Sequence, residues 1–266
     1  MTERRKTVGT ALITGASSGL GEEFARQLAR ERYDLVLTAR RDERLRTIAD
    51  EAKSLGSGRV DVVALDLSIP GSAEALYRRI TDKKVSVDYL VNNAGFGTRG
   101  RFANLPLDRE VEQINLNVTA LVGLARLFLP AMLERKGGTI INVASTAAFQ
   151  PVPFMATYGA TKAFVLSFSE ALAEELRGTG VVVTALCPGP TRTEFQQVAG
   201  TAEVGMHSIS FMDAKAVVAQ AIDAAKRGKS VKIAGLTNLL LAESTRLAPR
   251  SLTARIAGAM FRGKDE

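Results

Sequence analysis

The chain of 266 residues contains one cysteine, Cys187, and one histidine, His207. A lone cysteine makes no intrachain disulfide. His207 falls in a stretch read as loop, so neither a histidine-based catalytic triad nor a multi-histidine metal site is expected, and no metal ligands are assigned. The sequence also lacks internal repeats, low-complexity tracts and any Pro-, Gly- or Ser-rich linker. With 46% of its residues apolar it is long enough to bury a large core as one domain. No run of 18 apolar residues suggests a spanning helix, and the polar stretch 1–6 leads straight into a first strand, leaving no room for a signal peptide. Together with the single cysteine, this predicts a cytoplasmic protein. A net charge of +7 suits acidic partners such as phosphorylated ligands, acyl carriers or lipid headgroups. Lys and Arg are scattered and the aromatics lie in apolar runs, so no nucleic-acid surface is expected.

What is present is a regular alternation. Apolar runs near 8–14, 34–39, 60–65, 87–91, 138–144, 180–187 and 230–234 alternate with helical patterns near 19–31, 43–55, 71–83, 107–135, 155–178 and 213–227. Strand and helix in this order predict an α/β fold, a doubly wound seven-stranded parallel sheet with helices on both faces. A ligand then belongs at the carboxyl ends of the strands, near the switch in strand order. The first strand runs into Gly15-Ala-Ser-Ser-Gly19-Leu-Gly21 and then a helix. Glycines there permit positive φ and close approach of a phosphate, and the helix N-terminus offers unpaired N–H groups. The spacing is G-x-x-x-G-x-G rather than the usual G-x-G-x-x-G. Segments 92–95, Ser145 and 188–193 also follow strand ends and converge on the same edge.

Tyr158-Gly-Ala-Thr-Lys162 places a phenol and an ammonium four residues apart, on one face of a helix. A tyrosine ionises near pH 10 and is a poor acid or base at neutral pH without a positive neighbour, a charge that Lys162 can supply. Ser145 follows the apolar run 139–144, and its hydroxyl can hydrogen-bond a carbonyl oxygen gaining negative charge. The trio reads as a site for moving a proton on or off an alcohol.

Together these motifs resemble the short-chain dehydrogenase/reductase family. Thr14-Gly-Ala-Ser-Ser-Gly-Leu-Gly21 is similar to its cofactor turn, Asn92-Asn-Ala-Gly95 to its sheet motif, and Ser145, Tyr158 and Lys162 to its active site. Pro188-Gly189, after the strand 181–186, is similar to its turn beside the nicotinamide. The resemblance covers roughly residues 8–235. It implies a single-domain Rossmann fold in which Gly15, Ser17, Ser18, Gly19, Leu20, Gly21, Asp66, Leu67, Asn93, Ala94, Gly95, Tyr158, Lys162, Pro188 and Gly189 contact a nicotinamide dinucleotide, with Asp66 near the adenine. It also implies a site asparagine on the helix after the fourth strand. Asn117 and Asn115 both stand there, and the spacing favours Asn117. In the family this residue helps hold a water in a proton relay leading from the lysine to solvent. Thr191 and Thr193 are candidates for the carboxamide, or else turn and cap residues.

The second strand ends in Arg40 and Arg41 with no carboxylate before Asp42. Arginine binds a 2′-phosphate where an acidic residue would bind the ribose hydroxyl, so NADP(H) is the expected cofactor and Arg40 the expected contact. The implied reaction is hydride transfer between carbonyl and secondary alcohol. Tyr158 exchanges the proton, Ser145 steadies the oxygen, and Lys162 lowers the tyrosine pKa and holds the nicotinamide ribose. Phe149, Val152, Pro153, Phe154, Phe195, Met206, Phe211 and Met212 are expected to border an apolar substrate pocket. A 3-oxoacyl thioester reductase and an NADP(H)-sensing binding protein are the alternatives.

Residues 1–235 are assigned to the NADP-binding domain and 236–266 to a C-terminal amphipathic extension of it. Residues 236–248 and 251–262 read as two helices around Pro249, with Arg246, Arg250, Arg255 and Arg262 on their polar sides. A tail packed on the same subunit or its neighbour is the expected role. A pocket cover, a subunit contact and peripheral contact of 236–262 with anionic membrane are the functional alternatives. The resemblance implies a homodimer or homotetramer paired through the helices at 107–135 and 155–178.

Overall fold

The computed structural model describes residues 7–200, 211–245 and 247–261. Its spine is a parallel sheet of β1 (Thr10–Thr14), β2 (Asp34–Ala39), β3 (Val60–Ala64), β4 (Tyr89–Asn92), β5 (Gly138–Val143), β6 (Val181–Cys187) and β7 (Val231–Ile233). Every apolar run predicted as a strand is one, with ends shifted by no more than two residues. The order across the sheet is β3-β2-β1-β4-β5-β6-β7. From β1 the chain winds outward to β2 and β3, then crosses back to β4 and winds the other way. The reversal opens a crevice at the carboxyl ends of β1 and β4.

Alternate residues of each strand point to opposite faces, and both faces are covered. Ala11, Ile13, Leu35, Leu37, Val91 and Ile141 pack against α1 (Gly19–Arg30), α2 (Asp42–Leu55) and α8 (Ala214–Lys226). Leu12, Val36, Leu90, Ile140 and Val183 point the other way, against α3 (Ser72–Thr81) and α5 (Leu121–Glu134). This two-sided burial is why the strands read as unbroken apolar runs.

The predicted helix 107–135 is α4 (Leu107–Ile114), a π-helical turn (Asn115–Ala120) and α5 end to end. Its length, and a mean hydropathy of 1.7 over an 18-residue stretch, would allow it to cross a membrane although charged residues interrupt its apolar run. Here it is a core helix, with Leu121, Leu124, Ala125, Phe128 and Met132 buried. The wide turn shifts the helical register before the chain packs on the sheet.

One polar chain crosses this apolar interior. Asn92 Nδ2 donates to Asn142 Oδ1 at 2.9 Å, between paired positions of β4 and β5. Asn142 Nδ2 donates to Ser169 Oγ at 2.9 Å, and Ser169 donates to the Val165 carbonyl at 2.6 Å. Ser169 and Val165 belong to α6 (Ala156–Glu175), so the chain fixes that helix against the strand ends. Replacing Asn142 by Leu leaves the Asn92 amide without its main acceptor and Ser169 without its donor. We expect a loss of about 3 kcal/mol in urea unfolding, from two stranded buried partners, with the far-ultraviolet spectrum unchanged.

Candidate active site

Two loops meet at the crevice. Thr14 Oγ1 accepts from the backbone N–H groups of Asn93 and Ala94, each at 2.9 Å, and Asn93 Nδ2 donates back to the carbonyls of Thr14 at 2.9 Å and Gly15 at 3.2 Å. The glycine turn and the 92–95 segment are therefore one rigid piece. Gly15 has φ +64°, and a Cβ there would come within 2.9 Å of the Ala94 Cα. A Cβ on Gly21 would lie 2.2 Å from the Gly15 carbonyl oxygen. Gly21 is thus a packing residue that lets α1 press on the turn, and it does not line the cavity. Ser18, the extended residue before α1, makes no side-chain cap, leaving its hydroxyl and the first N–H groups of the helix for a ligand.

A cavity of about 610 Å³ runs along this edge. Gly15, Ser17, Ser18, Gly19, Leu20, Arg40, Arg41, Asp66 and Leu67 line its first half. Arg41 donates to the Ser17 hydroxyl at 3.3 Å and carbonyl at 3.2 Å, and pairs with Glu194 at 2.9 Å. Arg40 reaches Glu112 at 3.4 Å and Asp66 at 3.8 Å. The Arg40 side chain is 61% and that of Arg41 47% exposed, so solvent screens these ion pairs and they can exchange for a stronger anion. Asp66 Oδ1 accepts from the backbone N–H of Ser68 at 2.9 Å and its hydroxyl at 2.7 Å.

Asn93, Ala94, Gly95, Ser145, Tyr158, Lys162, Pro188, Gly189, Thr191 and Thr193 line the second half. α6 sets Tyr158 and Lys162 one turn apart, both buried. Ser145 begins a short 3-10 turn (Thr146–Phe149), where its Oγ accepts from the Ala147 N–H at 3.1 Å. Burial pushes the Tyr158 phenol up to about 12, and the nearby Ser145 hydroxyl offsets only part of the rise. Lys162 Nζ donates to the Val143 carbonyl at 2.7 Å and stands 5.8 Å from the Tyr158 ring centre. Burial brings its pKa down to about 8. Burial thus sets the phenol above its ordinary value in this structure, where the pairing with Lys162 alone had suggested a lowered one. Cys187, buried at the end of β6, is pushed up to about 12, also by burial.

Asn117 lies on the π-helical turn behind the cavity wall and does not line it. Its Nδ2 donates to the Phe96 carbonyl at 2.9 Å and the Thr161 hydroxyl at 3.0 Å, and its Oδ1 accepts from the Phe96 N–H at 3.1 Å. A Cβ on Gly95 would meet Asn117 Oδ1 at 2.8 Å and Lys162 Nζ at 3.5 Å, so the bare backbone is what brings these two together. Asn115, at the start of the same turn, is partly exposed. Thr191 donates to the Gly189 carbonyl at 2.9 Å, and Thr193 accepts from the Phe195 N–H at 3.3 Å. Their hydroxyls serve the local turn here.

Of the residues expected to border the substrate, Val152 and, at the start of α7 (Phe195–Val198), Phe195 line the cavity. Phe149 does not; it ends the 3-10 turn after β5, partly buried against the cluster that includes Leu121 and Val165. Pro153 packs toward Gly258. The Phe154 carbonyl is tied to the Gly100 N–H at 2.9 Å. Phe211 is not on the cavity wall, and Met212 packs on the main core. Met206, His207, Arg246 and Arg262 lie outside the described residues.

In place of the misassigned residues the wall has Phe96, Gln150, Met155, Gln196 and, from α9 (Leu236–Ser244), Asn238 and Leu241. Asn238 lies flat on Gly189, where a Cβ would come within 2.4 Å of its Nδ2. The amphipathic helix expected over 236–248 is α9, and its place on the wall matches the pocket-cover alternative; nothing in the run Leu236-Thr-Asn-Leu-Leu-Leu singles out Asn238. α10 (Arg250–Phe261) completes the tail.

Residues 9–203 match the short chain dehydrogenase family. The ketoacyl reductase HetN of Nostoc sp. is 38% identical over 180 residues, which is 68% of this chain and 62% of HetN, so the match spans about three fifths of that relative. A short-chain dehydrogenase from Sphingobium yanoikuyae, solved with NADPH, is 34% identical with a TM-score of 0.81, covering 92% of this chain and 95% of its own. The bulky-bulky ketone specific alcohol dehydrogenase from Comamonas testosteroni is 30% identical with a TM-score of 0.77, covering 91% and 93%. A short chain dehydrogenase/reductase from Burkholderia phymatum, solved with NAD, is 25% identical with a TM-score of 0.81, covering 89% and 92%. Strand order, glycine turn, buried Tyr158 and Lys162 and the match over 9–203 agree, and the chain belongs to the short-chain dehydrogenase family of oxidoreductases.

Proposed function

We propose that the protein is an NADP(H)-dependent oxidoreductase that interconverts an apolar, bulky ketone and its secondary alcohol. The observation that carries this reading is one cavity with a paired-arginine end at Arg40 and Arg41 and a proton-donor end at Tyr158, Ser145 and Lys162. The residues fit a dinucleotide along its length. Ser18 and the N-terminus of α1 would hold the diphosphate, Arg40 and Arg41 the 2′-phosphate, and Pro188, Gly189, Thr191 and Thr193 the nicotinamide end. The cofactor supplies or removes the hydride.

The chain's own residues manage the proton and the oxygen. Ser145 Oγ donates to the substrate carbonyl and orients it toward the Tyr158 hydroxyl. Tyr158 keeps its proton across the neutral range, which suits it as the acid in reduction: it releases the proton to the carbonyl oxygen as negative charge develops there. Lys162, cationic below pH 8, stabilises the phenolate left behind and hydrogen-bonds the ribose. Asn117 anchors the Phe96 backbone and Thr161 beside Lys162, the place from which a water would resupply the proton.

Phe96, Val152, Met155, Phe195 and Leu241 make the substrate side apolar, and Gln150 and Gln196 are its uncharged polar handles. The bulky-ketone specificity of the Comamonas neighbour supports this class. The NADPH of the Sphingobium neighbour supports the cofactor, while the NAD of the Burkholderia neighbour makes the arginines the deciding feature. The name of HetN favours 3-oxoacyl reduction as a second reading, which acyl thioesters tested against free ketones will separate. Leu107, Val111 and Ile114 on α4 and Phe164 on α6 are exposed, and we assign these faces to pairing of two subunits.

Three measurements check this reading. Tyr158→Phe should lower kcat for NADPH-dependent ketone reduction by at least about 10² while leaving NADPH binding within about twofold by fluorescence titration. The double change Arg40→Ser with Arg41→Ser should raise KM for NADPH about tenfold or more with little change for NADH, since each lost phosphate contact is charge-assisted; equal losses for both cofactors would remove the NADP assignment. Because Lys162 carries its charge only below its pKa, kcat/KM for reduction should fall as pH rises through about 8, and Lys162→Arg should move that decline to higher pH.

A further inference from the structure

We infer that α9 and α10 form a docking surface for an anionic lipid bilayer, placed at the mouth of the cavity. Among the described residues, seven of the sixteen exposed large apolar side chains fall in this tail, while Val8, Ile69, Phe102, Leu133 and Val198 are scattered singly elsewhere. Leu236 is 71% exposed, Leu240 63%, Leu241 62% and Leu247 91%, and Leu252 and Ile256 on α10 are also exposed. Leu236 and Leu240 lie one turn apart on one side of α9, and Leu252 and Ile256 do the same on α10. Scattered exposed leucines are ordinary, whereas seven exposed large apolar side chains within 21 residues of sequence are a concentration that needs a partner. Leu241 belongs both to this group and to the cavity wall, so the exposed apolar surface reaches the pocket.

Charge selects the occupant. Residues 236–262 hold four arginines, 246, 250, 255 and 262, against one acidic residue, Glu243, a net of +3. Arg250 and Arg255 are exposed beside the leucines. Two copies of this face meeting across a two-fold axis would set like charges against like, with one glutamate per copy to relieve them. An anionic membrane satisfies both features, with leucines entering the interface and arginines resting on the headgroups. The inference concerns binding alone and does not depend on the proposed reaction.

The test is flotation of the full-length protein with vesicles of phosphatidylcholine alone or with roughly one-third phosphatidylglycerol, at low and high salt. We expect about tenfold more protein on the anionic vesicles, with the difference reduced by salt. Leu236→Gln with Leu240→Gln should abolish binding to both while NADPH binding persists, which shows the variant is folded. Arg250→Gln with Arg255→Gln should remove the preference for anionic lipid. Absence of wild-type binding to either vesicle, or binding unchanged by the leucine pair, would overturn the inference. So would sedimentation velocity showing that the leucine pair reduces the size of the assembly in a wild type that ignores vesicles, which would make the face a subunit contact.

Discussion

A buried lysine ammonium held by one hydrogen bond to a strand-end carbonyl is the constraint on which the rest of this structure depends. Lys162 is 5% exposed, and Val143 O is its hydrogen-bond acceptor in the structure. Burying a cation so sparsely solvated is costly, which is why its pKa falls toward neutrality. The cost is tolerable only if α6 cannot drift from β5. The Asn92, Asn142 and Ser169 chain meets that need from below, and the Asn117 bonds to Phe96 and Thr161 meet it from the side.

The same economy of space recurs along the crevice. Gly15, Gly21, Gly95 and Gly189 each lie where a single added carbon would strike a neighbour. Their absence of side chain brings the glycine turn onto α1, Asn117 toward Lys162, and α9 onto the turn after β6. The cavity is shaped by backbone held at close range, and the polar groups that face it are supported from behind by residues that never reach it.

The fold was legible because a parallel sheet covered on both faces writes each strand as an apolar run, and all seven runs became strands. The site was legible wherever a residue follows a strand end or repeats at helical spacing, as Ser145, Tyr158 and Lys162 do. The substrate wall was not. Phe149 and Phe195 look equivalent in sequence, but a 3-10 turn packs one on the cluster that includes Leu121 and Val165 while the other meets Tyr158 with ring centres 5.3 Å apart. Asn238 and Leu241 were missed because their roles come from α9 folding back over Gly189, a contact between distant segments that no local pattern encodes. The electrostatics of Tyr158 also escaped the sequence, since spacing tells which charge is near and not how thoroughly both groups are desolvated.

The central claim is that one cavity joins a phosphate-binding end to a proton-transfer end. A crystal structure of the protein grown with NADPH tests it most directly. The account predicts the 2′-phosphate against Arg40 and Arg41, the diphosphate at Ser18 and the start of α1, and the nicotinamide ring beside Tyr158 with its ribose on Lys162. Nucleotide bound with its 2′-phosphate turned to solvent, or its nicotinamide away from Tyr158, would contradict it.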